Sequence, residues 1–133
     1  MLTRLQDYEK MRTPNSAPIV FSERSIFSDR HVFFRNFEKG NVVNKAEQAV
    51  YSEWCDFVVD KIDYKIDGLI YLRASTDTCL KRCQKRSRDE EKCIGVDLLQ
   101  QIEDRHEEWL KDSQFYNDIP VLVIDTNDGL FFI

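Results

Sequence analysis

"GLIYLRASTDTCLKRCQKR", residues 68–86, changes character halfway along. Gly68 to Leu72 is a short apolar run, the pattern of a strand buried in a parallel sheet. Ser75 then stands where a helix N-cap belongs, and Asp77 falls in the first turn, where the helix dipole favours an acid. The helix they open runs into the charged stretch "KRCQKRSRDEEK". A strand passing directly into a capped helix is the start of a βαβ unit.

Two further apolar runs repeat the theme. "PVLVID", Pro120 to Asp125, reads as a strand, and so does Pro18 to Glu23 with Ile19, Val20 and Phe21 in succession. Helical patterns lie between them. "MLTRLQDYEKMR" at 1–12 has helical composition with no N-cap before it, and Thr13 to Pro18 is a loop marked by Pro14, Asn15 and Pro18. Ser25 to Phe37 is predicted helical at least in part, and Glu38 to Asn44 a loop. Lys45 to Tyr64 repeats Ala46, Val50, Trp54, Phe57, Val58 and Ile62 at three- and four-residue steps. Another helix follows Gly95, with Leu99, Ile102 and Trp109 near one face. Strands alternating with helices predict an α/β domain, its three strands parallel neighbours in one sheet with helices on both faces. Such sheets bind ligands at the carboxyl ends of their strands.

The bulk properties narrow the function. The 133 residues suit one domain, with 42% hydrophobic and 32% charged residues. A net charge of −5 argues against a nucleic-acid partner held by overall electrostatics. Cys55, Cys79, Cys83 and Cys93 form no CxxC pair and no zinc spacing, so they read as thiols of a reducing compartment. No signal peptide and no long apolar segment stand out, which predicts a soluble protein with no membrane partner, cytoplasmic or mitochondrial. "HEEWL" at 106–110 is not the HExxH of a zinc protease, and no GxxxxGK[ST] phosphate loop occurs.

Two charged constellations remain. Glu23, Arg24, Asp29 and Arg30 follow the Pro18–Glu23 run. A carboxylate there suits Mg²⁺, and an arginine fork suits a phosphate or a reacting hydroxyl. The alternative is a strand-end salt-bridge cluster. Arg82, Arg86 and Arg88 stand among Lys81 and Lys85, with Arg82 and Arg86 on one helix face. Like charges at that spacing repel, and a bound polyanion would turn the repulsion into affinity. Asp89, Glu90 and Glu91 follow at once, so the alternative is an internally neutralised, solvated helix end.

Four blocks in order, "LTRL" at 2–5, "ERSIFSDRHVF" at 23–33, "GLIYLRASTDTCLKRCQKRSRDEEK" at 68–92 and "HEEWL…PVLVID" from 106 to 125, resemble the deoxyribonucleoside kinases. The resemblance implies a P-loop NTPase-like nucleoside kinase fold and ATP-dependent phosphorylation of a deoxyribonucleoside at its 5′-hydroxyl, for nucleotide salvage. It implies that Glu23 helps hold Mg²⁺ and that Arg24 contacts the 5′-hydroxyl and the phosphoryl group. Asp29 and Arg4 would read the base edge, Phe33 would stack on the base, and Glu91 would bind the sugar 3′-hydroxyl. "KRCQKRSRDEE" resembles the lid, whose Arg82, Arg86 and Arg88 close over the phosphates. The loop with Asp128, Gly129 and Leu130 would lie against the adenine of ATP. The family's phosphate loop and general-base glutamate precede the first block, and its last helix follows "VIDTND". Residues 1–133 are therefore expected to form a partial kinase domain, inactive alone and a homodimer when full length. Two rivals stand beside this reading. One is a non-catalytic kinase-like binding or assembly subunit, a reuse shown by an accessory subunit of respiratory complex I. The other is a nucleoside monophosphate kinase, in which an Asp-Arg pair often stands where Glu23-Arg24 does here.

Overall fold

β1 (Leu69–Arg73) runs parallel to β3 (Ile119–Asp125), with Leu69 opposite Val121 and Arg73 opposite Asp125. In this computed structural model, which describes residues 2–11, 19–61, 64–91, 94–110, 115–116 and 118–128, the pair anchors the second of two units, Met1–Lys65 and Ile66–Ile133. β2 (Phe115–Tyr116) adds a short antiparallel strand on the far side of β3, giving the order β1-β3-β2. α5 (Thr76–Arg86) and α6 (Val96–Leu110) complete the unit, with a 3₁₀ turn at Asp89–Glu91. The α/β class with a parallel pair and flanking helices is as the sequence predicts.

Side chains alternate across β1. Tyr71 is buried, and its hydroxyl donates to Glu107 of α6 at 2.8 Å. Arg73, on the same face, donates to both oxygens of Glu107 at 3.0 and 2.9 Å. The opposite face presents Ile70, Leu72 and Leu122 at the surface. Ser75 caps α5 as its position predicts, its hydroxyl accepting from the Thr78 amide at 3.3 Å. Glu103 of α6 accepts from the amide and the hydroxyl of Thr76, so a carboxylate also satisfies the first turn of α5.

The first unit is helical among the described residues. α1 (Leu2–Met11) is followed by α2 (Ile26–Ser28), which passes into a π-helical turn (Asp29–Phe34) and then α3 (Arg35–Lys39). A reciprocal capping box starts this run: the Ser25 hydroxyl accepts from the Ser28 amide at 3.3 Å, and the Ser28 hydroxyl accepts from the Ser25 amide at 2.8 Å. α4 (Lys45–Lys61) carries the fully buried Cys55 and Val58, and Val32 of the π-helical turn is equally enclosed. Phe34 stacks on Tyr51 of α4 with centroids 3.6 Å apart, and Arg30 donates to Asp56 at 2.7 Å and to Ser52 at 3.2 Å. Ser25 is buried, so Ser25→Ala removes a cap in a place water cannot repair. It should lower unfolding free energy by about 1–2 kcal/mol, read as a lower urea midpoint at unchanged slope.

The Pro18–Glu23 strand is not formed. Pro18 lies outside the described residues, and residues 19–25 are irregular. Ile19 is 72% and Phe21 78% exposed, the reverse of a central strand. Three consecutive apolar residues supply propensity, but a parallel strand exists only through a ladder with its neighbour. The parallel pair is therefore β1 and β3, and the antiparallel β2 was not anticipated.

Candidate active site

Glu23 and Arg24 sit in a turn that delivers the chain onto the Ser25 cap. The Ser22 hydroxyl donates to the Arg24 carbonyl at 3.2 Å, and Arg24 adopts φ 64°, the left-handed region that a non-glycine residue enters at a cost. Backbone held this way gathers at functional sites, where the surroundings fix a side chain's aim. Here the Arg24 guanidinium carbon lies 4.5 Å from the centroid of the Phe33 ring. Arg4, on α1, donates from Nη1 to the Glu23 carbonyl at 3.0 Å. Arg4, Glu23, Arg24 and Phe33 are thus brought together although they span three separate stretches of the first unit.

Asp29 opens the π-helical turn that also carries Phe33. Such turns widen the helix and are frequent at functional sites, because the added residue re-aims the side chains on either side. Tyr64 reports on both base-edge candidates. Its phenol is raised above its usual range by burial first, with the Asp29 carboxylate raising it further and the Arg4 guanidinium opposing. Tyr64 also stacks on Tyr8 at 4.1 Å and meets Phe27 edge-on at 5.8 Å. Its hydroxyl accepts from the Ile26 amide at 3.5 Å, and Tyr8 accepts from the Lys65 amide at 2.7 Å. Tyr8, Tyr51 and Tyr64 were missed in the sequence, where each stands as one aromatic in or beside a helical pattern.

His31 is strongly altered by its surroundings. Burial first, and the neighbouring Arg30 charge second, bring its imidazole from 6.5 down to about 4. The unfolded chain therefore binds a proton between pH 6.5 and 4 that the folded chain refuses. Stability is full above that window and falls as pH drops through it. A displacement of this kind is worth about 1.4 kcal/mol per pH unit, and discounting for the exposed part of the ring leaves about 1–2 kcal/mol. Thermal unfolding at pH 7 and pH 5 should separate the wild-type chain from His31→Gln, with a smaller loss in the variant.

In the second unit the basic cluster is already partnered. Arg86 donates from Nε to Glu91 at 2.9 Å and pairs through Nη2 at 2.7 Å, and Arg88 approaches the same carboxylate at 3.9 Å. Two arginines share one acid, so the cluster is an anion-binding fork with a carboxylate already in it. Arg82 points elsewhere: it donates to the carbonyl of Thr126 and to its hydroxyl, the latter at 3.3 Å. Asn127 accepts from the Ser75 amide at 2.9 Å and from the Thr78 hydroxyl at 3.0 Å. The loop after β3 is thereby fastened to α5. Asp128 is exposed in that loop, while Gly129 and Leu130 lie outside the described residues.

Among the described residues no three His, Cys, Asp or Glu side chains form a cation cage. Mg²⁺ bound to nucleotide needs less, since phosphates and water fill most of its octahedron. The exposed Glu23 carboxylate fits that limited role. Among the described residues no helix is long and apolar enough to cross a membrane.

The sequence pattern of one family, Deoxynucleoside kinase, matches residues 1–133. The chain belongs to the deoxynucleoside kinase family. Among its relatives, Deoxycytidine kinase 2 of Gallus gallus is 39% identical over 120 residues, covering 84% of this chain and 45% of that protein. Deoxycytidine kinase of Homo sapiens is 32% identical over 133 residues, covering 94% and 48%. Thymidine kinase 2, mitochondrial, of Homo sapiens is 38% identical over 115 residues, covering 86% and 43%. The chain spans about half the length of the curated relatives it matches.

Proposed function

We propose that this chain carries the nucleoside-reading and lid portions of an enzyme that phosphorylates a deoxyribonucleoside at its 5′-hydroxyl with ATP. The observation that carries the reading is Arg24 held at φ 64° over Phe33. A cation that handles the 5′-hydroxyl and a ring that stacks on the base must lie within one nucleoside of each other, and these two do.

The roles follow from phosphoryl-transfer chemistry, which asks for positioning and charge neutralisation. The 5′-oxygen attacks the γ-phosphorus, the bond to the bridging oxygen breaks, ADP leaves, and the hydroxyl proton passes to a general base. Arg24 neutralises charge at the attacking oxygen. Arg86 and Arg88 exchange the Glu91 carboxylate for phosphate oxygens, which frees Glu91 for the sugar 3′-hydroxyl. Arg4 and Asp29 read the base, and the Thr126–Asp128 loop lies beside adenine. Glu23 would hold Mg²⁺, which supplies neutralisation of the triphosphate when bound.

α4 exposes Val50, Trp54 and Phe57 at helical spacing, with Trp54 stacked on Phe57 at 5.8 Å, which supports a homodimer through that face. The kinase reading is tested by grafting residues 1–133 in place of the matching segment of the Gallus gallus protein and supplying γ-labelled ATP. Label should move to a deoxynucleoside 5′-monophosphate, and Arg24→Ala should abolish the transfer at retained fold. Transfer to a nucleoside monophosphate in preference to the nucleoside would overturn the proposal.

A further inference from the structure

Ser87 lies between the two arginines that share Glu91. It ends α5 in the left-handed conformation, φ 51°, so the chain leaves the helix there, and the residue is exposed. Its hydroxyl donates to the Gln84 carbonyl at 2.6 Å, one of the last free acceptors of the helix. The sequence beyond it is acidic at once, with Asp89 and Glu90 exposed at the second and third positions after the serine. An exposed serine off the end of a helix, followed by acids at that spacing, suits a protein kinase that reads carboxylates on the C-terminal side of its target.

We propose that Ser87 is a phosphorylation site whose phosphoryl group captures Arg86 and Arg88. In the modifying step Ser87 Oγ attacks the γ-phosphorus of ATP held by the protein kinase. The Oγ–P bond forms, the bond to the bridging oxygen breaks, ADP leaves and the hydroxyl proton goes to that kinase's base. The product carries a charge of about −1.5 to −2 and three strong acceptor oxygens. Three consequences share one direction. The arginines on either side gain a dianion as rival to the single carboxylate of Glu91. Glu91 is repelled by the new charge. The donor to Gln84 is lost, and a negative group at the C-terminal end of α5 loosens its last turn. As an off-switch for nucleotide binding, the modification rests on the reading of Arg86 and Arg88 as a phosphate-binding lid.

The test uses the chain itself, an acid-directed serine kinase, ATP, and inorganic tripolyphosphate as the probe. Intact mass and peptide mapping should place one phosphoryl group on Ser87, none on Ser87→Ala, and little on Glu90→Lys. NMR of arginine Nε–H groups should show the Arg86 and Arg88 signals moved by phosphorylation. Tripolyphosphate affinity at those signals should fall about 10-fold or more. Phosphorylation elsewhere, none at all, or a phosphorylated Ser87 that leaves both arginine signals in place would each overturn the proposal. The lid reading is judged separately on the unmodified chain: it fails if tripolyphosphate moves no arginine signal there, whatever happens at Ser87.

Discussion

Replacing Arg86 and Arg88 together with alanine is expected to lower kcat by about 10³-fold or more, measured in the graft into the Gallus gallus protein. The lid has no covalent task in the proposed reaction, so its whole contribution is charge placed against the migrating phosphoryl group. Removing two guanidinium groups therefore removes transition-state stabilisation directly. The fold has little stake in them. Arg86 is 48% and Arg88 64% exposed, so solvent screens their charges and their pairing with Glu91 adds little to stability. A loss of turnover with an unchanged urea midpoint is the expected combination. Arg82→Ala should behave differently. Arg82 fastens the Thr126 loop to α5, so its loss should weaken ATP binding through loop position and lower stability measurably. Near-normal turnover in the Arg86/Arg88 double variant would remove the lid from the mechanism.

What was legible in the sequence was local. Ser75 and Asp77 mark the start of α5, and the apolar runs at 68–72 and 120–125 mark β1 and β3, because caps and short apolar strands are written within a few neighbouring residues. The arginine cluster was visible as composition, and its sharing of Glu91 follows from a spacing of a few residues across one turn. Ile19-Val20-Phe21 misled, because the run has strand propensity and strand pairing depends on distant chain. The π-helical turn at Asp29–Phe34 was invisible for a related reason: one extra residue per turn leaves the apolar spacing of Phe33 and Phe34 close to that of an α-helix. Arg24's left-handed backbone has no signature either, since the residue type argues against it. Tyr64 gained its place only when the fold set its ring against Tyr8 of α1 and Phe27.

Thymidine is expected to be a poor substrate of the grafted enzyme, with kcat/KM below that of deoxycytidine or a purine deoxynucleoside by about 10²-fold or more. Arg4 and Asp29 supply a donor fork and an acceptor within the unit that holds Phe33, with Arg4 donating to the Glu23 carbonyl beside Arg24. Cytosine and adenine offer an exocyclic amine to the Asp29 carboxylate and a ring nitrogen to Arg4, so both charges find partners. Guanine offers its own amine and a carbonyl. Thymine has no exocyclic amine, and its carbonyl facing Asp29 would set acceptor against acceptor. A half-buried carboxylate left in that position loses more than one hydrogen bond, because desolvation is no longer offset. Asp29→Asn offers both an amide donor and an acceptor and should narrow the gap between the two substrates, while Arg4→Ala should weaken all of them, since it also releases the Glu23 carbonyl and the turn that aims Arg24. A competition assay with deoxycytidine and thymidine in one tube reads the ratio directly. Thymidine emerging ahead would place Arg4 and Asp29 away from the base edge and leave Arg4 the structural role of bracing the Glu23 carbonyl.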